Sequence, residues 1–392
     1  MWDVAVIGAG PAGASAALAA AKAGKRVILL ERAQVPRYKT CGGGLIGPSL
    51  RALPDGFEPP IRGHATSFVF SLGGRLQRTR RSAQPLVRLV QRDEFDASLI
   101  AAAKAAGATV RDVVAVTRIA EDDELVCVST RDGDRIRARV AIGADGSAGR
   151  SSAYVGVTYE QTDLGLEVEI PVPAAQSDFW SDRILIDWGT MAGAYGWVFP
   201  KGDLLSVGVI APKGNPGKTR AYLHDFLVRL KLDDIEPKVS SGHLTHCRAA
   251  GSPLFRGRVL VAGDAAGLLE PWTREGISFA LRSGTLSGQA AARAAEAVSH
   301  GELTATLEAY ASAVEGSLQR EMTAGRNFMR AFTRHPRAFH LAVILIPKAW
   351  TVFSGIVSGE TTFVNVEENR LVRVALALLS RKASIRTGYS EA

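Results

Sequence analysis

The sequence predicts an α/β protein: a parallel-sheet domain interrupted by a second, sheet-based domain and followed by a helical C-terminal region. Three observations carry this expectation. The first 31 residues read as strand, glycine turn, alanine-rich helix and strand. Spaced aromatic strands then occupy the middle of the chain. A buried-type strand ending in Gly263-Asp264 later returns the chain to its first sheet. At 392 residues the chain is long enough for more than one module on an ample core.

The elements follow in order. Val4 to Ile7 is a short apolar run, the helix after it extends to Ala23, Gly24 stops it, and Val27 to Leu30 forms the second strand. A second helix spans Asp93 to Ala106 and closes at Gly107. Strands over Val110 to Ile119, Leu125 to Thr130 and Arg135 to Ile142 form an antiparallel insert turned by Asp132-Gly133. From Leu164 to Ile210 the pattern changes to strands carrying Trp180, Trp188, Tyr195, Trp197 and Phe199, with a turn at Pro200-Lys201-Gly202-Asp203. Arg258 to Ala262 restores a buried strand, a helix runs from Ile277 to about Val298, and the last hundred residues are helical, apolar and basic. The expected division is 1–60, 88–160 and 245–290 for a discontinuous first domain, 61–87 and 161–244 for the second, and 291–392 for the helical region.

Composition bounds the function more loosely. Cys41, Cys127 and Cys247 are odd in number and far apart, which argues against a disulfide scaffold or a clustered metal site and places the chain in the reducing cytosol. A net charge of +8 suits anionic partners such as diphosphates or phospholipid surfaces. No nucleic-acid module accompanies it, so no nucleic-acid partner is expected. The mean hydropathy is +0.06, but no signal segment opens the chain. The most apolar stretch, His340 to Gly355, is broken by Pro347 and Lys348 and is too short to span a bilayer.

Gly8-Ala9-Gly10-Pro11-Ala12-Gly13 stands between a strand and a helix, where backbone N–H groups and the helix dipole meet a pyrophosphate. Glu31 ends the second strand 18 residues after Gly13, in position to accept hydrogen bonds from an adenosine ribose. Together these make the first domain Rossmann-type and dinucleotide-binding; the alternatives are an incidental turn and a solvated strand-end charge.

The later motifs choose the dinucleotide. A strand ending in Gly263-Asp264, followed by a helix start at Gly276-Ile277, resembles the FAD-dependent oxidoreductases of the p-hydroxybenzoate hydroxylase-like class. The resemblance implies that Asp264 binds the ribityl chain and that the helix start faces the pyrimidine edge of the flavin, where reduction builds negative charge. It also implies FAD contacts at Arg92 and at Asp145-Gly146, and at Arg32 and Val113.

Within that class three segments resemble the geranylgeranyl reductase family, which saturates double bonds of isoprenoid chains. Pro36-Arg37-Tyr38-Lys39-Thr40-Cys41-Gly42-Gly43-Gly44 is similar to the family's Pro-Arg-x-Lys-x-Cys-Gly segment against the flavin, which brings in Lys39, Cys41 and Gly42. Tyr195-Gly196-Trp197-Val198-Phe199-Pro200 is similar to its Tyr-x-Trp-x-Phe-Pro segment along the lipid tunnel, and Pro271 to Ile277 to its Pro-x-x-Gly-Glu-Gly-Ile helix start. The chain departs from the pattern at Ala192, where the family often has Pro, at Glu270, where it commonly has Asn, and at Arg274, where it has a small residue. Arg274 is read first as an ion-pair partner of Glu270 or Glu275; neutralising a reduced flavin or holding an anionic head group are the alternatives.

The resemblance implies an FAD-dependent reductase acting on a prenyl diphosphate or prenyl lipid, with NADPH or reduced ferredoxin as electron donor. Alternation places Tyr195, Trp197 and Phe199 on one strand face, an apolar wall suited to a prenyl chain. Saturation takes a hydride from the flavin and a proton from elsewhere. Cys41 is the first candidate for contact with the reacting centre and Tyr195 the second, although both are weak acids, with free pKa values of about 8.5 and 10. An FAD-dependent monooxygenase and a non-catalytic flavin-containing lipid-binding protein share much of the pattern. His243-Leu244-Thr245-His246-Cys247 lacks the spacing of a metal site, and no metal is expected. Arg75, Arg78, Arg80, Arg81 and Arg88 form either a solvated face or an attractor for diphosphates and lipid head groups. Asn369 to Lys382 reads as an amphipathic basic helix, with Leu371, Val374, Ala375, Leu378 and Leu379 on one side, for peripheral membrane contact or for packing on the body of the enzyme.

Overall fold

The parallel strands Trp2–Ile7, Val27–Leu30 and Val259–Val261, and the end of Arg135–Gly143 from Val140 onward, are apolar and mostly buried, as strands covered on both sheet faces are. The computed structural model describes residues 1–188, 190–214 and 216–379. Its largest sheet runs in the order Phe255–Arg256, Val259–Val261, Arg135–Gly143, Trp2–Ile7, Val27–Leu30, Thr109–Arg111, with Val126–Thr130 and Val116–Glu121 added as an antiparallel meander. The fold class expected from the sequence is the one observed.

Helices Pro11–Lys22 and Ile277–Ala294 cover one face of this sheet and cross each other closely. A Cβ on Gly284 would stand 2.2 Å from the carbonyl oxygen of Ala12, so only glycine lets the two backbones approach. The late strand and helix therefore rejoin the first domain.

One expected strand is divided in two. Thr109–Arg111 pairs in parallel with Val27–Leu30, and Val116–Glu121 pairs antiparallel with Val126–Thr130. Between them Val113 has φ +60°, a left-handed kink that an uninterrupted strand cannot contain. Sequence periodicity spans such a kink because residues on both sides keep their apolar pattern.

The second sheet has seven strands in the order Val239–Arg248, Tyr159–Pro171, Leu204–Pro212, Tyr195–Lys201, Arg183–Trp188, Ser67–Leu72, Arg75–Arg81. A small sheet of Gly44–Leu45, Val87–Val90 and Ile61–Ala65 joins the two. The C-terminal helices pack on the second sheet. Buried His340, on helix Pro336–Leu345, accepts at Nδ1 from Trp188 Nε1 (2.9 Å), and its Nε2 lies 2.9 Å from the carbonyl of Leu76. Among the described residues no single helix is long and apolar enough to cross a membrane.

Of the two readings of helix Arg370–Leu379, packing through the Leu371, Val374 and Leu378 side is not what the fold shows. Leu376 is buried, with Val372 and Leu379 packed beside it, whereas Leu371, Val374 and Leu378 are exposed. The helix is apolar on more than one side, so packing rather than pattern chose the face. Ser380, Arg381 and Lys382, the end of the expected amphipathic helix, lie outside the described residues.

Candidate functional site

A single cavity of about 1560 Å³ runs between the two large sheets and under the C-terminal helices. Its polar end begins at the glycine turn. Gly8 has φ +97°, and a Cβ there would stand 2.4 Å from the carbonyl oxygen of Ala144; a Cβ on Gly13 would stand 1.8 Å from the carbonyl oxygen of Gly8. Gly10 faces open space except for Arg37, so the turn leaves room for a pyrophosphate against bare backbone. Helix Pro11–Lys22 begins there with no side-chain cap, and its first N–H groups face the turn.

Glu31 is buried at the adjacent strand end. It accepts from Ala9 N (2.9 Å) and Ala33 N (3.1 Å), and Arg37 Nε lies 3.2 Å away. Arg37 also donates to Asp96 (3.1 Å), and Asp96 accepts two bonds of 2.9 Å from Arg92. Arg92 remains charged although burial opposes it, because Asp96 and Cys41 raise its pKa.

Asp264 ends the returning strand. Burial raises its pKa, but His243, whose Nε2 lies 3.8 Å away, and the charges of Lys39 and Arg92 more than offset this and hold it below the usual carboxylate range. Burial conversely lowers Lys39, which faces Asp264. The result is a cluster of fixed opposite charges beside the start of helix Ile277–Ala294, whose N-terminus has no side-chain cap at Gly276. Such a pole stabilises negative charge built on a heterocycle. The uncapped turn, the open face of Gly10 and the cation cluster all fit FAD.

The loop carrying Cys41 lies on the aromatic strand. A Cβ on Gly42 would stand 2.7 Å from Phe199 Cδ2 and 3.4 Å from Trp197 Nε1, so the loop settles onto these rings only as glycine. Lys201 Nζ holds it from below, donating to the carbonyl of Cys41 (2.9 Å) and to Glu169 (2.8 Å). Gly43 N donates to Cys41 Sγ at 3.4 Å.

Tyr195, Trp197 and Phe199 share one face, as alternation requires, and all three line the cavity. Tyr195 Oη donates to the carbonyl of Thr273 at 2.5 Å, and burial raises its pKa. Its proton is engaged by a carbonyl instead of facing open space. Arg274 pairs with Asp163 (3.2 Å), not with Glu270 or Glu275, and donates to the carbonyls of Trp272 (2.7 Å) and Gly193 (2.8 Å). Asp163, on the long strand Tyr159–Pro171, reaches it only through the tertiary fold. Glu275 accepts from Ser278 N (2.7 Å) and so caps the helix start, while Glu270 binds the turn through Thr273 Oγ1 (2.6 Å) and Trp272 N (3.0 Å). Burial raises Glu270 to about 7.

Of the residues expected at the site, Gly8, Gly10, Pro11, Ala12, Glu31, Arg32, Lys39, Cys41, Gly42, Arg92, Asp145, Gly146, Tyr195, Trp197, Phe199, Asp264, Arg274, Gly276 and Ile277 all border this one cavity. Gly13 stands behind the turn, and Val113 is exposed, with Val114 in the lining instead. Sequence reading missed Arg37, His243 and most of the apolar end. His243 and Thr245 face the cavity by strand alternation, whereas His246 stacks on Tyr159 with centroids 4.4 Å apart. The apolar end is built by Phe68 and Phe70 of the sheet, with Trp350 and Phe353 of a C-terminal helix against them at 5.2 to 6.3 Å. Trp272 lies among Phe328, Phe332, Phe339 and Phe363 at 5.3 to 6.1 Å. The available signal was the Phe68/Phe70 alternation next to an apolar helical tail.

Comparison with known proteins agrees with this geometry. Residues 1–293 match the FAD binding domain family. Over 315 residues the chain is 31% identical to digeranylgeranylglycerophospholipid reductase 1 of Methanopyrus kandleri, covering 75% of this chain and 81% of the relative. A geranylgeranyl bacteriochlorophyll reductase-like protein from Thermoplasma acidophilum superposes with a TM-score of 0.75 at 21% identity, over 96% of this chain and 99% of that one. The flavin-dependent brominase Bmp2 superposes with a TM-score of 0.71 at 20% identity, over 96% and 98%. The two structural likenesses establish the fold.

Proposed function

Because the chain belongs to the geranylgeranyl reductase family of FAD-dependent oxidoreductases, we propose that it saturates carbon–carbon double bonds of a prenyl lipid. The observation that carries this reading is that one cavity is bordered both by the charged cradle and by aromatic and aliphatic side chains of the second sheet and the C-terminal helices. A long apolar chain fills such a tunnel with its double bonds drawn past the polar end.

Bound FAD, once reduced, supplies the hydride that goes to one alkene carbon. Gly8, Gly10 and the start of helix Pro11–Lys22 would hold its pyrophosphate, Glu31 the ribose, and Asp264 the ribityl chain. Lys39, Arg92 and the N-terminus of helix Ile277–Ala294 would face the charge that reduction adds. Cys41, whose carbonyl Lys201 holds and whose neighbour Gly42 lies against Phe199, lines the same cavity, and we assign it the proton that goes to the second alkene carbon. Arg92 then faces the thiolate until solvent returns the proton. Tyr195 fixes the Thr273 carbonyl and presents its ring to the chain, which makes it a positioning residue. Trp197 and Phe199 close the tunnel against water. The division into discontinuous FAD, sheet-based substrate and C-terminal regions is part of this proposal, with the third region forming the far tunnel wall. Electrons come from NADPH or reduced ferredoxin, and the substrate is taken at a membrane surface.

The test is anaerobic incubation of dithionite-reduced holoenzyme with geranylgeranyl diphosphate, following product mass and flavin absorbance together. The expected result is product heavier by successive pairs of hydrogens as the flavin reoxidises. Flavin that stays reduced without oxygen, and yields an oxygenated product on aeration, would replace this reading with a monooxygenase.

A further inference from the structure

We infer that the protein seats on an anionic bilayer through the corner between helices Pro336–Leu345 and Pro347–Ser358 and the arginine-bearing edge strand beside it. The two helices meet at 95° and are apolar along most of their length. The corner exposes large apolar side chains: Leu345 is 62% exposed, Ile346 52% and Leu341 41%. Leu76, 56% exposed, joins them from the edge strand, which His340 ties to the first helix. Arg80 closes the junction, with its guanidinium 5.7 Å from the centre of the Trp350 ring and 3.5 Å from the carbonyl of Ile346.

The two segments that form this corner carry charge of one sign. The segments from Thr66 to Ser82 and from Pro336 to Ser358 contain no Asp or Glu. They carry exposed Arg75, Arg78, Arg81, Arg337 and Lys348, and no carboxylate among the described residues lies within ion-pair distance of these five. Apolar side chains ringed by unpaired cations match the interface of an anionic membrane, with acyl chains at the centre and phosphates at the rim. Nucleic acid offers phosphates but nothing for the four aliphatic side chains. The cavity also comes to the surface here, since Ile346 and Lys348 are both exposed and part of its lining. A prenyl lipid leaving the bilayer at this corner would enter the tunnel directly.

The inference rests on reading the cavity as a prenyl-lipid site, yet its test needs no turnover. Flavin-loaded full-length protein is sedimented with vesicles of phosphatidylcholine alone or mixed with phosphatidylglycerol. Binding is expected only to the mixed vesicles, with release at high salt. Each surface cation contributes about fivefold in affinity, so Arg78→Gln with Arg81→Gln should weaken binding roughly 25-fold. Leu341→Ser with Leu345→Ser should also weaken it, including at low salt, while flavin absorbance and melting temperature confirm the fold. Wild-type protein that ignores the mixed vesicles would overturn the inference. So would corner variants that bind like wild type, or a loss confined to Leu371→Ser with Leu378→Ser on helix Arg370–Leu379. Vesicle binding without prenyl reduction would leave the docking surface standing and remove the proposed activity.

Discussion

The two ends of the cavity are made by opposite means. The polar end is built from backbone and fixed charge: a glycine turn, the uncapped start of helix Pro11–Lys22, the start of helix Ile277–Ala294 and Asp264 among Lys39, Arg92 and His243. The apolar end is built from side-chain volume, with rings from the second sheet meeting rings from the C-terminal helices. The difference teaches where each end is vulnerable. A methyl group placed on the glycine turn collides with backbone, which cannot yield, whereas a ring lost from the far wall leaves a void that neighbours partly fill.

The largest effect should therefore come from the polar end. Gly8→Val puts a β-branched residue at φ +97° with its Cβ 2.4 Å from a carbonyl oxygen, and should cost about 3–6 kcal/mol from strain and overlap. The purified protein should lose its flavin absorbance; flavin retained at full stoichiometry would show that the turn does not hold the cofactor. Trp272→Ala removes a ring that contacts four phenylalanines, and should cost about 3–5 kcal/mol in chemical denaturation. It should keep the flavin and lose prenyl turnover, since the damage is confined to the tunnel.

Glu270 lies between the two ends and ties them to pH. Its carboxyl ionises near 4.5 when free and near 7 in the fold, because burial disfavours the charge. Between those values the unfolded chain has released a proton that the folded chain keeps, so stability falls as pH rises from about 4.5 to 7. The loss amounts to about 3 kcal/mol at most. Melting temperatures of Glu270→Gln across that range should lack this slope, because an amide oxygen still accepts from Thr273; an unchanged slope would assign it to another group. The smallest effect is expected from Phe353→Leu, which keeps an apolar side chain against Phe68 and Phe70. It should cost less than about 1.5 kcal/mol and alter which prenyl chain lengths are reduced fastest, with no change in flavin content.

The same contrast governs what could be read in advance. Gly8 to Gly13, Glu31, Asp264 and the Cys41 loop were legible because each must supply a bare backbone, a strand-end carboxylate or a tight turn at a fixed local spacing. Arg274 was read correctly as an ion-pair member but with the wrong partner, because Asp163 is 111 residues away in sequence. Val113 lies outside the cavity because the chain kinks there, a feature that apolar periodicity does not record.

By itself the sequence determined the α/β class, the dinucleotide turn, the alternating wall of Tyr195, Trp197 and Phe199, and the return of the late strand to the first sheet. Local steric rules suffice for these: a glycine where no side chain fits, a period of two along a strand, and an apolar run where both faces are covered. Only the tertiary structure decided that the C-terminal helices close the tunnel, that Leu376 and not Leu371 turns inward, and which carboxylate meets Arg274. Those outcomes depend on shape and charge matched between segments far apart in the chain, and many sequences satisfy such a match equally well, so no single segment encodes it.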